Sequence, residues 1–180
     1  MPEQAIYIGI GSNVEPQRHV PAALAALGAA YGPLAISPLY RCAPVGLDGP
    51  DFINAVVRGS TLETPEALRD RLKELEREAG RDHGEKLAVR ELDLDLLLYG
   101  AETVRLDGLR IPRPDILAYS FVLRPLADIA PEVIHPETGH DFAWHWAHFE
   151  GERIPLHPVE LDGCGMASRK EAENGRGDRI

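Results

Sequence analysis

Residues 52–99 read FINAVVRGSTLETPEALRDRLKELEREAGRDHGEKLAVRELDLDLLLY, and the order of patterns inside this stretch decides the fold. Phe52 to Ser60 is an apolar, β-branched run of strand length. Thr64-Pro65-Glu66 then supplies an N-cap followed by proline at the first helical position, and Leu68, Leu72 and Leu75 carry an apolar stripe up to Gly80. Arg81 to Val89 is polar and reads as a loop. Glu91 to Tyr99 alternates acid with leucine before turning apolar, which is the pattern of a half-buried strand.

Upstream, Tyr7 to Ile10 is a short apolar run that breaks at Gly11-Ser12-Asn13, an opening strand ending in a turn. Val20 to Ala30 has helical spacing, with Pro21 near its start and Gly32 beyond its end. Ala35 to Arg41 reads as a second strand, and Cys42 to Asp51, with Pro44, Gly46, Gly49 and Pro50, as a loop. The order is strand, helix, strand, strand, helix, strand. It predicts a ferredoxin-like α+β sandwich with a mainly antiparallel sheet. Downstream come a short hairpin after Gly100, the turn Ile111-Pro112-Arg113-Pro114 and a helix around Phe121 to Ile129. Residues 157–180 are rich in glycine, charge and small polar side chains, which predicts a disordered tail after one domain of residues 1–156.

With 180 residues, 44% of them hydrophobic, the chain can bury one core and is too short for two ordinary domains. Its net charge of −10 argues against a general nucleic-acid binder, which needs a basic face. A bound polyphosphate would have to rely on metal ions and local arginines. Cys42 and Cys164 do not suggest a disulfide framework. The apolar stretches are too short for a membrane helix, and the N-terminus lacks a basic leader, so a cytoplasmic location is expected.

The chemistry concentrates in Arg90-Glu91-Leu92-Asp93-Leu94-Asp95-Leu96. A strand's period of two puts Asp93 and Asp95 on one face, roughly 7 Å apart at the backbone, and the leucines on the other. Magnesium accepts one or two carboxylates with phosphates and water completing its shell, so the pair suits phosphoryl transfer from a nucleotide. The competing reading is an amphipathic strand with an acidic outer face, and this segment alone does not separate the two.

The wider chain carries, in order, Gly9-Ile10-Gly11-Ser12-Asn13, Pro44-Val45-Gly46, Asp51-Phe52-Ile53-Asn54, Glu76 with Gly80-Arg81, Arg90 with Asp93 and Asp95, and Phe121-Val122-Leu123-Arg124-Pro125-Leu126. Over about residues 5–135 this succession resembles the 6-hydroxymethyl-7,8-dihydropterin pyrophosphokinase family. The resemblance implies ATP and two magnesium ions, a monomer, and transfer of pyrophosphate to a pterin hydroxymethyl group with release of AMP. Asp93 and Asp95 would hold the metals, and Arg81 and Arg90 would steady the transferred group. Phe52 and Phe121 would stack on the pterin, Asn54 would bond its edge, and the segment Cys42, Ala43, Pro44 and Val45 would add contacts. Glu76, His83, Leu96, Arg110, Arg113 and Tyr119 fall on the nucleotide side. Without the resemblance, Phe52 and Phe121 would read as core packing and Glu76 as a solvated helical charge.

The chain also departs from the family pattern. His83 stands for an arginine, Pro112-Arg113 for Pro-His, Tyr119 for an arginine, and Lys86 to Val89 for a stretch with tryptophan and Gly-Pro. Arg110, Arg113 and Arg124 are candidates to restore positive charge near the phosphates. These changes keep open an alternative: a divergent pterin binder without efficient catalysis, or one with another donor or acceptor. A ferredoxin-like RNA-binding module is a third class, disfavoured by the acidic charge. His140, His145, His148 and His157, with Trp144 and Trp146, read as a capping segment because no cysteine or carboxylate completes a zinc set. Cys42 lacks an adjacent base that would make it a nucleophile.

Overall fold

The computed structural model describes residues 2–80 and 92–164. Its centre is β1 (Gln4–Ser12), which pairs antiparallel with β4 (Phe52–Thr61) on one side and β5 (Asp93–Tyr99) on the other. β2 (Ala35–Ile36) and β3 (Leu39–Cys42) both pair with β4. The main path runs β5-β1-β4-β3 and ends in a strand, β8 (His157–Val159), laid on β3. The first four strands of that path, with two helices in the crossovers, make the ferredoxin-like arrangement that the sequence order predicts.

Strand period sorts the side chains. Ile6, Ile8 and Ile10 of β1, Val57 of β4 and Leu94 and Leu96 of β5 point one way, under α1 (Pro16–Tyr31) and α2 (Pro65–Ala79). There they meet Val20, Leu27, Leu68 and Leu72 in one core, each such side chain contributing about 1.5–3 kcal/mol by burial. The Thr64 hydroxyl accepts from the Ala67 N–H at 3.3 Å, the cap that the sequence announces.

Tyr7, Val56 and Leu97 point the other way. They are covered by α4 (Ser120–Ile129) and α5 (Phe142–Ala147), through Leu123, Leu126 and Phe142. The predicted hairpin is β6 (Val104–Leu106) and β7 (Leu109–Ile111), turned at Asp107-Gly108 with Gly108 at φ 69°. A single turn, α3 (Asp115–Ala118), leads into α4. Among the described residues no helix is long and apolar enough to cross a membrane.

Three elements differ from the sequence reading. α1 begins at Pro16, not Val20, because Pro16 presets the first helical φ after Glu15 at φ 42°; Pro21 then falls in the second turn. The strand predicted over Ala35 to Arg41 is split at Ser37-Pro38, since Pro38 has no N–H to donate. The buried Ser37 hydroxyl accepts from the Val56 N–H at 2.9 Å and keeps the ladder satisfied there. The expected disordered tail starts too early: His157–Val159 is the strand that covers the edge of β3, and Leu161 and Cys164 pack on the core. The rest of that tail, residues 165–180, lies outside the described residues.

Candidate active site

The second cover is incomplete, and the sheet face it leaves open is where the candidate residues meet. Register sets Gly9 opposite Asp95 and Gly11 opposite Asp93 across β1 and β5, and Gly11 opposite Asn54 across β1 and β4. Cross-strand partners share a face, so Asp93, Asp95, Gly9, Gly11 and Asn54 form one patch. A Cβ on Gly11 would stand 3.4 Å from Asn54 Oδ1 and 3.9 Å from the Asp93 Cβ. Such a methyl fits without strain but would fill the floor; the two glycines keep it at backbone level. Phe121 and Val122 of α4 form the wall.

This depression encloses only about 60 Å³, well below an ordinary ligand pocket. A far larger cavity, about 780 Å³, lies elsewhere, between the end of α1 and the outer ends of β1 and β4. There Glu63 is engaged by the Tyr31 hydroxyl at 3.0 Å and by Arg71 at 2.6 Å. Size alone therefore does not mark the site; the chemistry of the open face does.

Burial, then the neighbouring Asp93 charge, pushes the Asp95 carboxyl up to about 6. Arg113 offsets part of this, with Nη2 3.3 Å from Asp95 Oδ1, while Nε donates to Asp115 Oδ2 at 2.8 Å. Two hard carboxylates with repulsion left between them are a donor set that fits magnesium, which would take its other ligands from phosphates and water. Among the described residues no group of three or more histidine, cysteine, aspartate or glutamate side chains is placed to hold a metal.

Glu76 is neither solvated nor free: its Oε1 accepts from the Leu94 N–H at 2.6 Å and Oε2 meets Lys73 Nζ at 2.9 Å. Burial raises its pKa. It thus ties α2 to β5 beside the aspartates. Asn54 is buried and its Nδ2 donates to Cys42 Sγ at 3.2 Å, and Phe52 lies within 3.8 Å of the Gly11 Cβ position. Tyr119 stacks on Phe121 with centroids 5.2 Å apart. Burial drives the Cys42 thiol up to about 11, which makes it an inert core group. Ala43, Pro44 and Val45 follow it in the loop after β3.

Other candidates stand apart. The Leu96 side chain is in the core beneath α1 and α2, so a ligand could reach only its backbone. Arg110 is exposed on β7 and does not line the depression. Arg124 pairs with Asp128 at 3.0 Å and lies over Trp146, away from the aspartates. Arg81, His83 and Arg90, with the altered stretch Lys86 to Val89, lie outside the described residues. The C-terminal rings pack on one another, with Trp144 stacked between His140 and His148 at 3.8 and 4.2 Å. Asp115, the second partner of Arg113, escaped the sequence reading; the Arg113-x-Asp115 spacing was its only signal.

Residues 7–131 match the family model of 7,8-dihydro-6-hydroxymethylpterin-pyrophosphokinase. The chain is 39% identical over 141 residues to the 2-amino-4-hydroxy-6-hydroxymethyldihydropteridine pyrophosphokinase of Pseudomonas aeruginosa, covering 76% of this chain and 87% of that one. Identity to the protein of the same name from Haemophilus influenzae is 37% over 136 residues, 73% and 85% of the two chains. The folic acid synthesis protein fol1 of Pneumocystis carinii is 36% identical over 160 residues, which span 87% of this chain and 21% of that longer protein.

Proposed function

The chain belongs to the 7,8-dihydro-6-hydroxymethylpterin-pyrophosphokinase family and is an ATP-dependent diphosphotransferase of folate synthesis, and we propose that the open face over Gly9 and Gly11 is its active site. The reaction moves pyrophosphate from ATP to the hydroxymethyl group of 6-hydroxymethyl-7,8-dihydropterin and leaves AMP and the pterin diphosphate. One observation carries the assignment of the site: Asp93 and Asp95 sit side by side on β5 next to a floor without side chains, with Asn54 and Phe121 on the same depression.

Asp93 and Asp95 would hold two magnesium ions, which when bound supply charge neutralisation on the phosphates. Everything else asked of the protein is positioning and electrostatics. Phe52 and Phe121 hold the flat heterocycle by its faces, and Asn54, oriented by Cys42, bonds its edge; backbone groups of Ala43, Pro44 and Val45 add polar contacts. Arg113, fixed by Asp115, keeps one cation beside Asp95 where phosphate charge accumulates. Arg81 and Arg90 steady the transferred group. Glu76, His83, Arg110, Tyr119 and the Leu96 backbone serve the nucleotide. The enzyme acts as a cytoplasmic monomer in this reading. Nothing in the fold or the comparisons favours a pterin binder without catalysis.

The test is to mix purified chain, ATP, magnesium and 6-hydroxymethyl-7,8-dihydropterin and to follow AMP by chromatography. AMP should form with the native chain and not with Asp93→Ala/Asp95→Ala. Equal AMP from that double variant would remove the site from this face.

A further inference from the structure

The ring of Phe121 stands on the first turn of α4, and that helix end lacks a side-chain cap. Its orphan donors need partners, since the Ser120 hydroxyl and N–H are buried away from water. They come from the chain's C-terminal part. The Ser120 N–H donates to Glu152 O at 3.1 Å, and the Glu152 N–H returns a bond to Ala118 O at 2.7 Å. The Ser120 hydroxyl donates to Ile154 O at 3.0 Å and accepts from the Ile154 N–H at 2.9 Å. Four bonds thus clamp residues 152–154 to the residues immediately before Phe121.

Gly151 makes the crossing possible. A Cβ there would lie 2.5 Å from Ala118 O, 2.7 Å from Leu117 O and 2.6 Å from the Phe149 ring, closer than real contacts allow. Beyond the clamp the same segment continues into β8 on β3, whose Cys42 orients Asn54. The segment is therefore a strap anchored at one end to the start of α4 and at the other to β3.

We infer that residues 151–154 are a positioning strap for the Phe121 ring, with Ser120 and Gly151 as positioning residues for the pterin. This rests on the reading of Phe121 as a stacking residue. Tyr119 lies beside the clamp on the nucleotide side, but the Ser120 bonds end on the turn that carries the Phe121 ring, so loss of the clamp should raise the pterin KM more than the ATP KM.

The experiment is steady-state kinetics on the full chain for Ser120→Ala, Gly151→Ala, Phe121→Ala and the double variant Ser120→Ala/Phe121→Ala. Ser120→Ala and Gly151→Ala should raise the pterin KM roughly three- to tenfold with the ATP KM within about twofold, the size of one or two lost hydrogen bonds. In the double variant Ser120→Ala should add nothing to Phe121→Ala, because its effect acts through that ring. Additive effects, or parallel rises in both KM values, would overturn the strap. If Phe121→Ala raises the pterin KM and Ser120→Ala does not, the strap alone falls. An unchanged pterin KM in Phe121→Ala would sink the stacking reading and the strap with it. Should Gly151→Ala fail to fold by circular dichroism, Ser120→Ala decides.

Discussion

The two faces of the sheet obey different rules. Under α1 and α2, each strand contributes branched or leucine side chains to a closed core, and every position there is explained by burial. On the opposite face, beyond Leu123 and Leu126, the same strands contribute glycine, asparagine and aspartate, and one carboxyl is held near 6 by burial and a like-charged neighbour. β1 belongs to both regimes at once: Ile8 and Ile10 serve the core, and Gly9 and Gly11 the floor. The difference teaches that stability and chemistry are interleaved residue by residue, so a one-residue register slip would exchange them.

Replacing Asp95 by Asn should break the comparison most sharply. Activity should drop roughly a hundred- to a thousandfold, while the melting temperature holds or rises by a few degrees, about 2–4 °C for each kcal/mol of relieved charge penalty. Calorimetry alongside the AMP assay reads both quantities; a strongly destabilised variant would mean that Asp95 supports the fold after all. Leu72→Ala is the mirror case on the covered face. It should lower the unfolding free energy by about 2–5 kcal/mol in urea titration and leave kcat within about twofold.

The two covers should also differ in their response to acid. His135 is buried against Phe142 and His145, and burial first, then the His145 charge, pulls its pKa down to about 4. In the unfolded chain it titrates near 6.5, so between those values the unfolded state binds more protons. Stability contributed by neutral His135 is complete above about pH 6.5 and is lost as pH falls toward 4, by roughly 1–3 kcal/mol. His135→Asn, which keeps an acceptor for the Glu137 N–H, should flatten the dependence of urea stability on pH in that window; an unaltered slope would clear His135 of the effect. The smallest change expected is at the floor. Gly11→Ala should raise the pterin KM roughly tenfold, about 1.4 kcal/mol, with no loss of thermal stability. An unchanged KM would place the pterin elsewhere.

Much of this was legible in the sequence because it rests on local rules. Period two in β4 and β5 and the Thr64-Pro65 start of α2 each announce themselves, and the alternation through Asp93 and Asp95 puts both carboxylates on one face. The start of α1 was less legible, since Glu15 caps it with backbone geometry and no side-chain bond. β8 was illegible for a different reason: His157-Pro158-Val159 is a strand only because β3 offers an open edge, a fact that lies far away in the chain. Arg113 likewise becomes a partner of Asp95, and Asp115 a partner of Arg113, only once the backbone bond from the Arg113 N–H to Leu97 O sets that turn beside β5. The Leu96 side chain lies on the core face, as the strand period requires, which leaves only its backbone to meet a ligand.

The bond from Glu76 to the Leu94 N–H has one more consequence. β5 is the last strand of its sheet, and an unpaired row of N–H groups there would be a template on which another chain could build. A carboxyl group planted on that row, bonded to the Leu94 N–H and paired with Lys73, takes one donor away from an incoming strand and puts an acidic side chain in its path. The side chain that ties α2 to β5 beside the two aspartates thus also blunts the open edge of the sheet.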